Sequence, residues 1–276
     1  MITISPVQSV LRPIFQRVIN SIPGGYGFSP ISLFSSGEQG AWYDPSDLST
    51  MFQDAAGTTP VTGAGQVVGL MRDKSGRGNH AAQASDGSKP ILRNSGFLWY
   101  LEFDGVDDFL VTSAINFSAI DKMSVFAGIR KSSDAGAAIA VELSNTSSTT
   151  NAGSFGLLVP VSSAGRVAFQ SRGTITVQAQ QSVATPAPTT FVVSGISDIA
   201  NVTLKLRVKG LAVGSSSDDQ GSGNYGNYPM YIGRRGGSSL PFNGNLYGLI
   251  VRGAMTDAKS IAQSETYIAT KSGVAL

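Results

Sequence analysis

The chain has no cysteine and only one histidine, His80, among its 276 residues. Without cysteine it has no disulfide bonds, no thiolate metal ligands and no cysteine nucleophile. A single histidine also excludes multi-histidine metal sites within one chain. The lack of disulfides is typical of a protein that assembles in a reducing cytosol.

Charged side chains are scarce, at 14% of residues, and the formal net charge is only +2. Such a balance gives no overall attraction to nucleic acid, so we expect no nucleic-acid partner. The sequence also lacks the run of about 20 apolar residues that a membrane-spanning helix needs, and no membrane insertion is expected. Apolar residues reach 41% and glycines number 33. This composition is typical of a β-rich domain with a sizeable core and many turns.

Residues 202–208 alternate strictly between apolar and polar side chains. The apolar set is Val202, Leu204, Leu206 and Val208, and the polar set is Thr203, Lys205 and Arg207. This period of two predicts a strand with one buried face. About eleven or twelve strand-like segments at short spacing predict a two-sheet antiparallel sandwich.

The end of the sequence carries a helical pattern instead. Thr256 is the predicted N-cap, and Gly273 is predicted to end the helix. The preceding stretch 214–226 is poor in apolar residues and predicts a long exposed loop.

Residues 101–110, LEFDGVDDFL, join two short apolar runs through Asp104-Gly105. The glycine permits the positive φ of a tight turn. DKSGRGNH precedes this hairpin at 73–80, and YIG and PFNGNLY follow it at 231–233 and 241–247. This order resembles the laminin-G-like, concanavalin A-type jelly roll. The resemblance implies an all-β, two-sheet antiparallel jelly roll, which we assign to residues 36–276.

A second resemblance lies at residues 40–54, GAWYDPSDLSTMFQD. This run is similar to the opening of a jelly-roll module of tailed-phage and prophage proteins. The resemblance implies a virion protein that is assembled in the host cytoplasm. Its expected role is a tail or tail-fibre component that presents the jelly roll to a host surface glycan. A capsid decoration protein that stabilises the shell is the alternative.

Residues 1–35 differ from the rest of the chain. Apolar side chains recur at spacings of three and four over 7–22, which predicts an amphipathic helix starting near Pro13. Residues 26–40 are rich in glycine and serine and are typical of a linker. We predict an anchor to other virion proteins or other copies, with a trimer expected by analogy with phage appendages; the same face could instead pack on its own domain. The residues assigned to the anchor are Val10, Leu11, Ile14, Phe15, Val18 and Ile22.

No catalytic residue is assigned. Retaining glycan hydrolysis needs a pair of carboxylates about 5 Å apart. The four glutamates, none of which lies in an E-x-D-x-E pattern, are Glu38, Glu102, Glu142 and Glu265. His80 lies in a glycine-rich turn that is typical of a surface residue. A glycan depolymerase is therefore the less favoured third alternative.

No cofactor is assigned, and calcium is the one ion that the sequence admits. Asp104, Asp107 and Asp108 place hard oxygen donors around a glycine turn, and Asp73 with Asn79 form another such group. The competing interpretation is that Asp73, Asn79 and Asp104 accept hydrogen bonds from amides of their own turns.

Aromatic and polar residues cluster between 224 and 235. Tyr225, Tyr228, Arg234 and Arg235 are the predicted glycan-binding residues, because aromatic faces stack on sugars while arginines bind hydroxyl groups. Tyr231, Asn224 and Asn227 lie among them. The competing interpretation is an ordinary surface loop beside a strand.

Overall fold

The computed structural model describes residues 27–276. The predicted anchor lies outside that range and stays a prediction. Within the range, three short 3-10 helices span Pro30–Phe34, Leu48–Thr50 and Asp86–Ser88, and one α-helix, α1, spans Ala258–Ser272. No helix of this range is both long and apolar enough to cross a membrane.

Strands make up most of the described chain. They are β1 (Gly40–Tyr43), β2 (Met51–Phe52), β3 (Leu70–Met71), β4 (Ala81–Ala82), β5 (Ile91–Ser95), β6 (Leu98–Asp104), β7 (Leu110–Thr112), β8 (Ile115–Asn116), β9 (Lys122–Lys131), β10 (Ile139–Leu143), β11 (Ser154–Leu158), β12 (Ala168–Arg172), β13 (Thr176–Gln180), β14 (Thr189–Asp198), β15 (Thr203–Val208), β16 (Leu211–Ser216), β17 (Asn227–Tyr228), β18 (Met230–Ile232) and β19 (Asn243–Arg252).

Two large antiparallel sheets pack face to face. The first has the order β16-β15-β14-β9-β19-β6-β5, with β1 beside the second half of β19. We call it the helix-backed sheet, because α1 packs on its outer face. The second, the open sheet, has the order β13-β12-β11-β10-β18-β7-β4-β3-β2. The predicted two-sheet antiparallel jelly roll is thereby confirmed.

The main hydrophobic core fills the space between the sheets, and β15 tests the predicted alternation directly. Leu204, Leu206 and Val208 are buried in this core, while Lys205 is exposed. The prediction is wrong only at Val202, which precedes the strand and is half-buried. Val202 belongs to the turn before β15 and has a φ of 50°.

Helix α1 begins one residue later than predicted. Asp257, not Thr256, is the N-cap, and its side chain accepts a hydrogen bond from the Ser260 amide. Gly273 ends the helix with a φ of 67°, as predicted. Thr256 is buried and receives a hydrogen bond from Arg252 instead.

A pair of glycines lets α1 lie close to the helix-backed sheet. Gly128 and Gly248 are directly opposite each other on β9 and β19. A Cβ added at Gly128 would lie 3.0 Å from Ile268 Cγ2, and one added at Gly248 would lie 3.1 Å from Ile268 Cδ1. The buried Ile268 therefore occupies the space that two side chains would fill.

Residues 30–34 pack on the sandwich, in contrast to the predicted linker. Leu33 and Phe34 are buried in a second hydrophobic cluster with Trp42 and Phe126. The cluster also includes the inner face of α1. The packed region therefore begins before residue 36, because Leu33 and Phe34 of the predicted linker are buried beside α1.

Candidate functional site

The outer face of the open sheet has no helix of residues 27–276 packed on it. Alternation along β12 sends Phe169 into the core and leaves Gln170 and Arg172 on this outer face. Phe109 and Tyr231 lie further along the same face, beside β7 and on β18. Together with the 234–235 turn they form the open-face patch, defined as Phe109, Gln170, Arg172, Tyr231, Arg234 and Arg235. The patch crosses five adjacent strands, or about 19 Å.

Glu142 lies at the centre of this face and is fully buried. Its Oε2 accepts hydrogen bonds from Arg235 Nε at 2.9 Å and from Ser148 Oγ at 2.8 Å. Its Oε1 accepts one from Ser144 Oγ at 2.8 Å. Gly156, directly opposite on β11, makes room for Ser148, because a Cβ there would lie 2.8 Å from its hydroxyl.

The surroundings of Glu142 do not suit hydrolysis. Its two cross-strand neighbours are Gly156 and Tyr231. Along its own chain, the next residue on the same face of the sheet is Ser144. None of these neighbours supplies a second carboxylate. A buried carboxylate held by a cation and without a partner cannot perform the two-carboxylate chemistry of glycan cleavage.

Tyr231 and Phe109 provide the aromatic part of the patch. Both are half-buried, and their ring centroids are 6.3 Å apart. Burial raises the pKa of Tyr231, and the Glu142 carboxylate raises it further. The phenol therefore stays protonated at neutral pH and remains a hydrogen-bond donor. Gly237 lies against both rings, and a Cβ there would lie 3.1 Å from Phe109 Cζ and 3.4 Å from Tyr231 Cε1.

Two arginines of the patch have N–H donors that meet no acceptor in the part of the chain that the structure describes. Arg172 donates from Nη1 to Thr149 O at 2.6 Å and to Thr176 Oγ1 at 2.9 Å. Arg234 donates from Nη2 to Ser238 O at 3.0 Å. The Nε atoms of both arginines are buried and have no hydrogen-bond partner among residues 27–276. Neither arginine forms an ion pair with a carboxylate in residues 27–276, unlike Arg235.

The prediction that Tyr225 binds a ligand is wrong. Only 1% of it is exposed, and its ring packs edge-on against Phe155 in the core. Its hydroxyl forms a 2.7 Å hydrogen bond with Ser171 Oγ, and burial raises its pKa to about 12. Tyr228 is half-buried and donates to the Ala152 carbonyl. Its role in binding stays a prediction, as do those of Arg234 and Arg235.

The predicted exposed loop 214–226 is partly strand and partly core. β16 extends to Ser216, and Gln220 is fully buried. Gln220 accepts a hydrogen bond from Ser197 Oγ and donates to the carbonyls of Asp198 and Thr203. This anchoring fixes one wall of an end groove of about 390 Å³, whose lining includes Asp121, Ile199, Asp219 and Asn224.

The Asp104 turn brings the three predicted metal ligands together. Asp104, Asp107 and Asp108 each offer a carboxylate oxygen within 4.8 Å of the others. Burial raises the pKa of Asp108 to about 6, and the charges of Asp104 and Asp107 add to the shift. Asp104 Oδ1 already accepts the amides of Val106 and Asp107, and Asp108 Oδ2 accepts the Asp104 amide. Three such groups supply only part of the six to eight oxygens that calcium requires, and calcium binding stays a prediction.

In the second acidic turn, the carboxylate oxygens of Asp73 already accept hydrogen bonds from backbone amides. Asp73 accepts hydrogen bonds from the amides of Trp42, Ser75 and Asn79. His80 is exposed and its Nδ1 accepts the Asp73 amide, so it is held as part of this turn.

No known protein-family model matches the sequence, and no curated protein matches it. Solved structures do share its fold. One is domain 4 of an extracellular GH43 arabinanase from Geobacillus stearothermophilus, in complex with arabinotriose, at 11% identity and a TM-score of 0.57. That match covers 83% of this chain and 98% of the other. Another is the binding domain of botulinum neurotoxin serotype G, at 11% identity and a TM-score of 0.53, over 72% of this chain and 48% of the other. At these identities the similarity establishes the fold alone.

Proposed function

We propose that this chain is a non-catalytic, glycan-binding jelly roll whose ligand lies across the open-face patch. The observation that carries the proposal is the composition of the outer face of the open sheet, on which no helix of residues 27–276 packs. Two aromatic rings, Phe109 and Tyr231, share this face with the half-buried guanidinium group of Arg172, while Gln170 lies between them and is buried against Ser148. Such a surface suits a sugar, because apolar ring faces stack on aromatics while hydroxyl groups bind amides and guanidinium groups.

The fold supports the same ligand class. The arabinanase domain that shares it was solved with arabinotriose. The burial and ion pairing of Glu142 support binding without cleavage. A binding role with no chemistry therefore fits the patch better than a depolymerase.

The proposed setting is a virion, in which the jelly roll belongs to a tail or tail-fibre component that attaches to a host surface glycan. Its support is the resemblance of residues 40–54 to phage jelly-roll modules. The anchor at residues 1–25 would join other virion proteins or other copies, with a trimer as the expected oligomer. Gold labelling of the protein in intact particles tests this setting, since label on the tail supports attachment and label on the shell supports capsid decoration.

The binding proposal is tested on an oligosaccharide array. Wild-type protein is expected to bind a defined set of glycans, and Tyr231→Ala should lose that binding. Phe97→Ala is the matched control, because Phe97 is 98% exposed on the β5–β6 turn, outside the patch. Failure to bind any glycan, or equal binding by Tyr231→Ala and wild type, would contradict the proposal.

A further inference from the structure

The open-face patch has more positive than negative charge. Three guanidinium groups, those of Arg172, Arg234 and Arg235, meet one carboxylate, that of Glu142. Glu142 pairs with Arg235 at 2.9 Å. Arg172 and Arg234 have no ion-pair partner among residues 27–276, so their two positive charges remain uncompensated.

The loop that contains Ser148 and Thr149 contacts both Arg172 and Arg235. Arg172 Nη1 donates to the Thr149 carbonyl, and Arg235 Nη2 donates to Ser148 Oγ at 3.3 Å. Thr149 and Ser148 are adjacent residues, whose Cα atoms lie about 3.8 Å apart. The two guanidinium groups therefore flank the same short loop on the same face of the sheet.

The free donors of these arginines point to a ligand that accepts hydrogen bonds. Nη2 of Arg172 and Nη1 of Arg234 donate to no atom of the described chain. Their buried Nε atoms are also unpaired, so each cation has lost part of its hydration without gaining an ion-pair partner. An anionic group placed beside them would supply the missing charge and accept hydrogen bonds from Nη2 of Arg172 and Nη1 of Arg234.

We infer that the glycan bound by the open-face patch is acidic, with carboxylate or sulfate groups that pair with Arg172 and Arg234. The inference rests on the proposed glycan-binding function and names its substrate class. The free Nη2 of Arg172 and Nη1 of Arg234 can form charge-assisted hydrogen bonds with such anions. Tyr231 and Phe109 stack on a sugar ring, while the two arginines favour a glycan that carries negative charge.

The experiment compares matched acidic and neutral probes on the full chain. Sialyllactose and sulfated lactose are each paired with neutral lactose, which separates carboxylate from sulfate as the recognised group. Affinities are measured by titration calorimetry for wild type, Arg172→Gln, Arg234→Gln and the double variant. Lys259→Gln, an equal change of charge at an exposed position on α1, is the control. Thermal melting confirms that each variant is folded.

We expect an acidic probe to bind at least about tenfold more tightly than its neutral partner, because one charge-assisted hydrogen bond is worth about that factor. Arg172→Gln and Arg234→Gln should each lose about tenfold, the double variant should lose the preference, and Lys259→Gln should keep it. Added salt should weaken wild-type binding. Equal binding of acidic and neutral probes, or unchanged affinity in the double variant, would overturn the acidic class and leave the glycan-binding function standing. Binding of no glycan of either kind would overturn both.

Discussion

Arg235 donates a hydrogen bond from Nε to Oε2 of Glu142 across 2.9 Å, and the Glu142 side chain has no exposed surface. The pair lies on the face where we place the ligand, yet its charge is already satisfied. Its role is therefore to hold the 234–239 turn against the open sheet.

Replacing Glu142 with glutamine should destabilise the domain by about 1–3 kcal/mol, because a buried charged hydrogen bond is lost. Glu102→Gln is the matched control, since the Glu102–Arg93 pair is about 40% exposed on both sides (43% and 40%). That exposed pair should cost less than about 1 kcal/mol. Urea unfolding measures both. Equal losses would contradict the account of Glu142, as would the release of reducing ends from a host polysaccharide by wild type but not by Glu142→Gln.

Gly105 should resist substitution for two separate reasons. Its φ is 78°, and a Cβ there would lie 2.6 Å from the Cβ of Asn243. Gly96 has a similar φ of 65° but nothing within 4 Å of the added Cβ. We expect Gly96→Ala to cost about 1 kcal/mol from backbone strain, and Gly105→Ala to cost clearly more. Melting midpoints decide between them; indistinguishable midpoints would mean that the contact with Asn243 relaxes freely.

The parts of the fold that follow local rules are predictable from the sequence. The alternation of Leu204, Leu206 and Val208 gives β15 its buried face, and the positive φ of Gly105 follows from Asp104-Gly105. Both depend on neighbours within a few residues. The prediction for Val202 was wrong because the apolar–polar alternation begins at Val202, whereas the strand begins only at Thr203.

The parts of the site that depend on distant partners are not predictable in this way. Tyr225 looks like an exposed aromatic in a polar loop, but its hydroxyl forms a hydrogen bond in the core with Ser171, more than fifty residues earlier. Gln170 and Arg172 carry no local signal at all, because only the sheet order brings β12 to the same face as Tyr231.

Stability should depend on pH through Asp44. Burial would raise the pKa of this carboxyl, but hydrogen bonds from Lys271, Ser46 and Tyr267 outweigh it, and the pKa lies below its ordinary value. A carboxyl with a lowered folded pKa stabilises above its unfolded pKa, near 3.9, and that stabilisation is lost as the pH falls through the folded pKa. Asp44→Asn should therefore be less stable than wild type at pH 7, by about 1–3 kcal/mol, with the gap closing towards acid pH.

Unfolding curves recorded from neutral to acid pH measure this gap. Asp218→Asn serves as the control, because Asp218 is exposed. A gap between Asp44→Asn and wild type that stays constant with pH would mean that the carboxylate charge contributes nothing.

Deleting residues 1–25 should leave a folded domain that fails to enter particles. Residues 27–276 supply a two-sheet sandwich with a hydrophobic core between its sheets. The apolar face over 7–22 is expected to bind another virion protein or another copy. Circular dichroism and incorporation into particles provide the two readouts. An unfolded truncation, or one that incorporates normally, would replace the anchor with packing inside the same chain.

The most direct test of the account is an NMR titration of the labelled protein with the oligosaccharide that binds best on the array. If the open-face patch is the binding surface, the amides of Gln170, Arg172 and Tyr231 should shift, and those of Asp219 and Asn224 should not. Shifts confined to Asp219, Asn224 and the rest of the end groove would contradict the central claim.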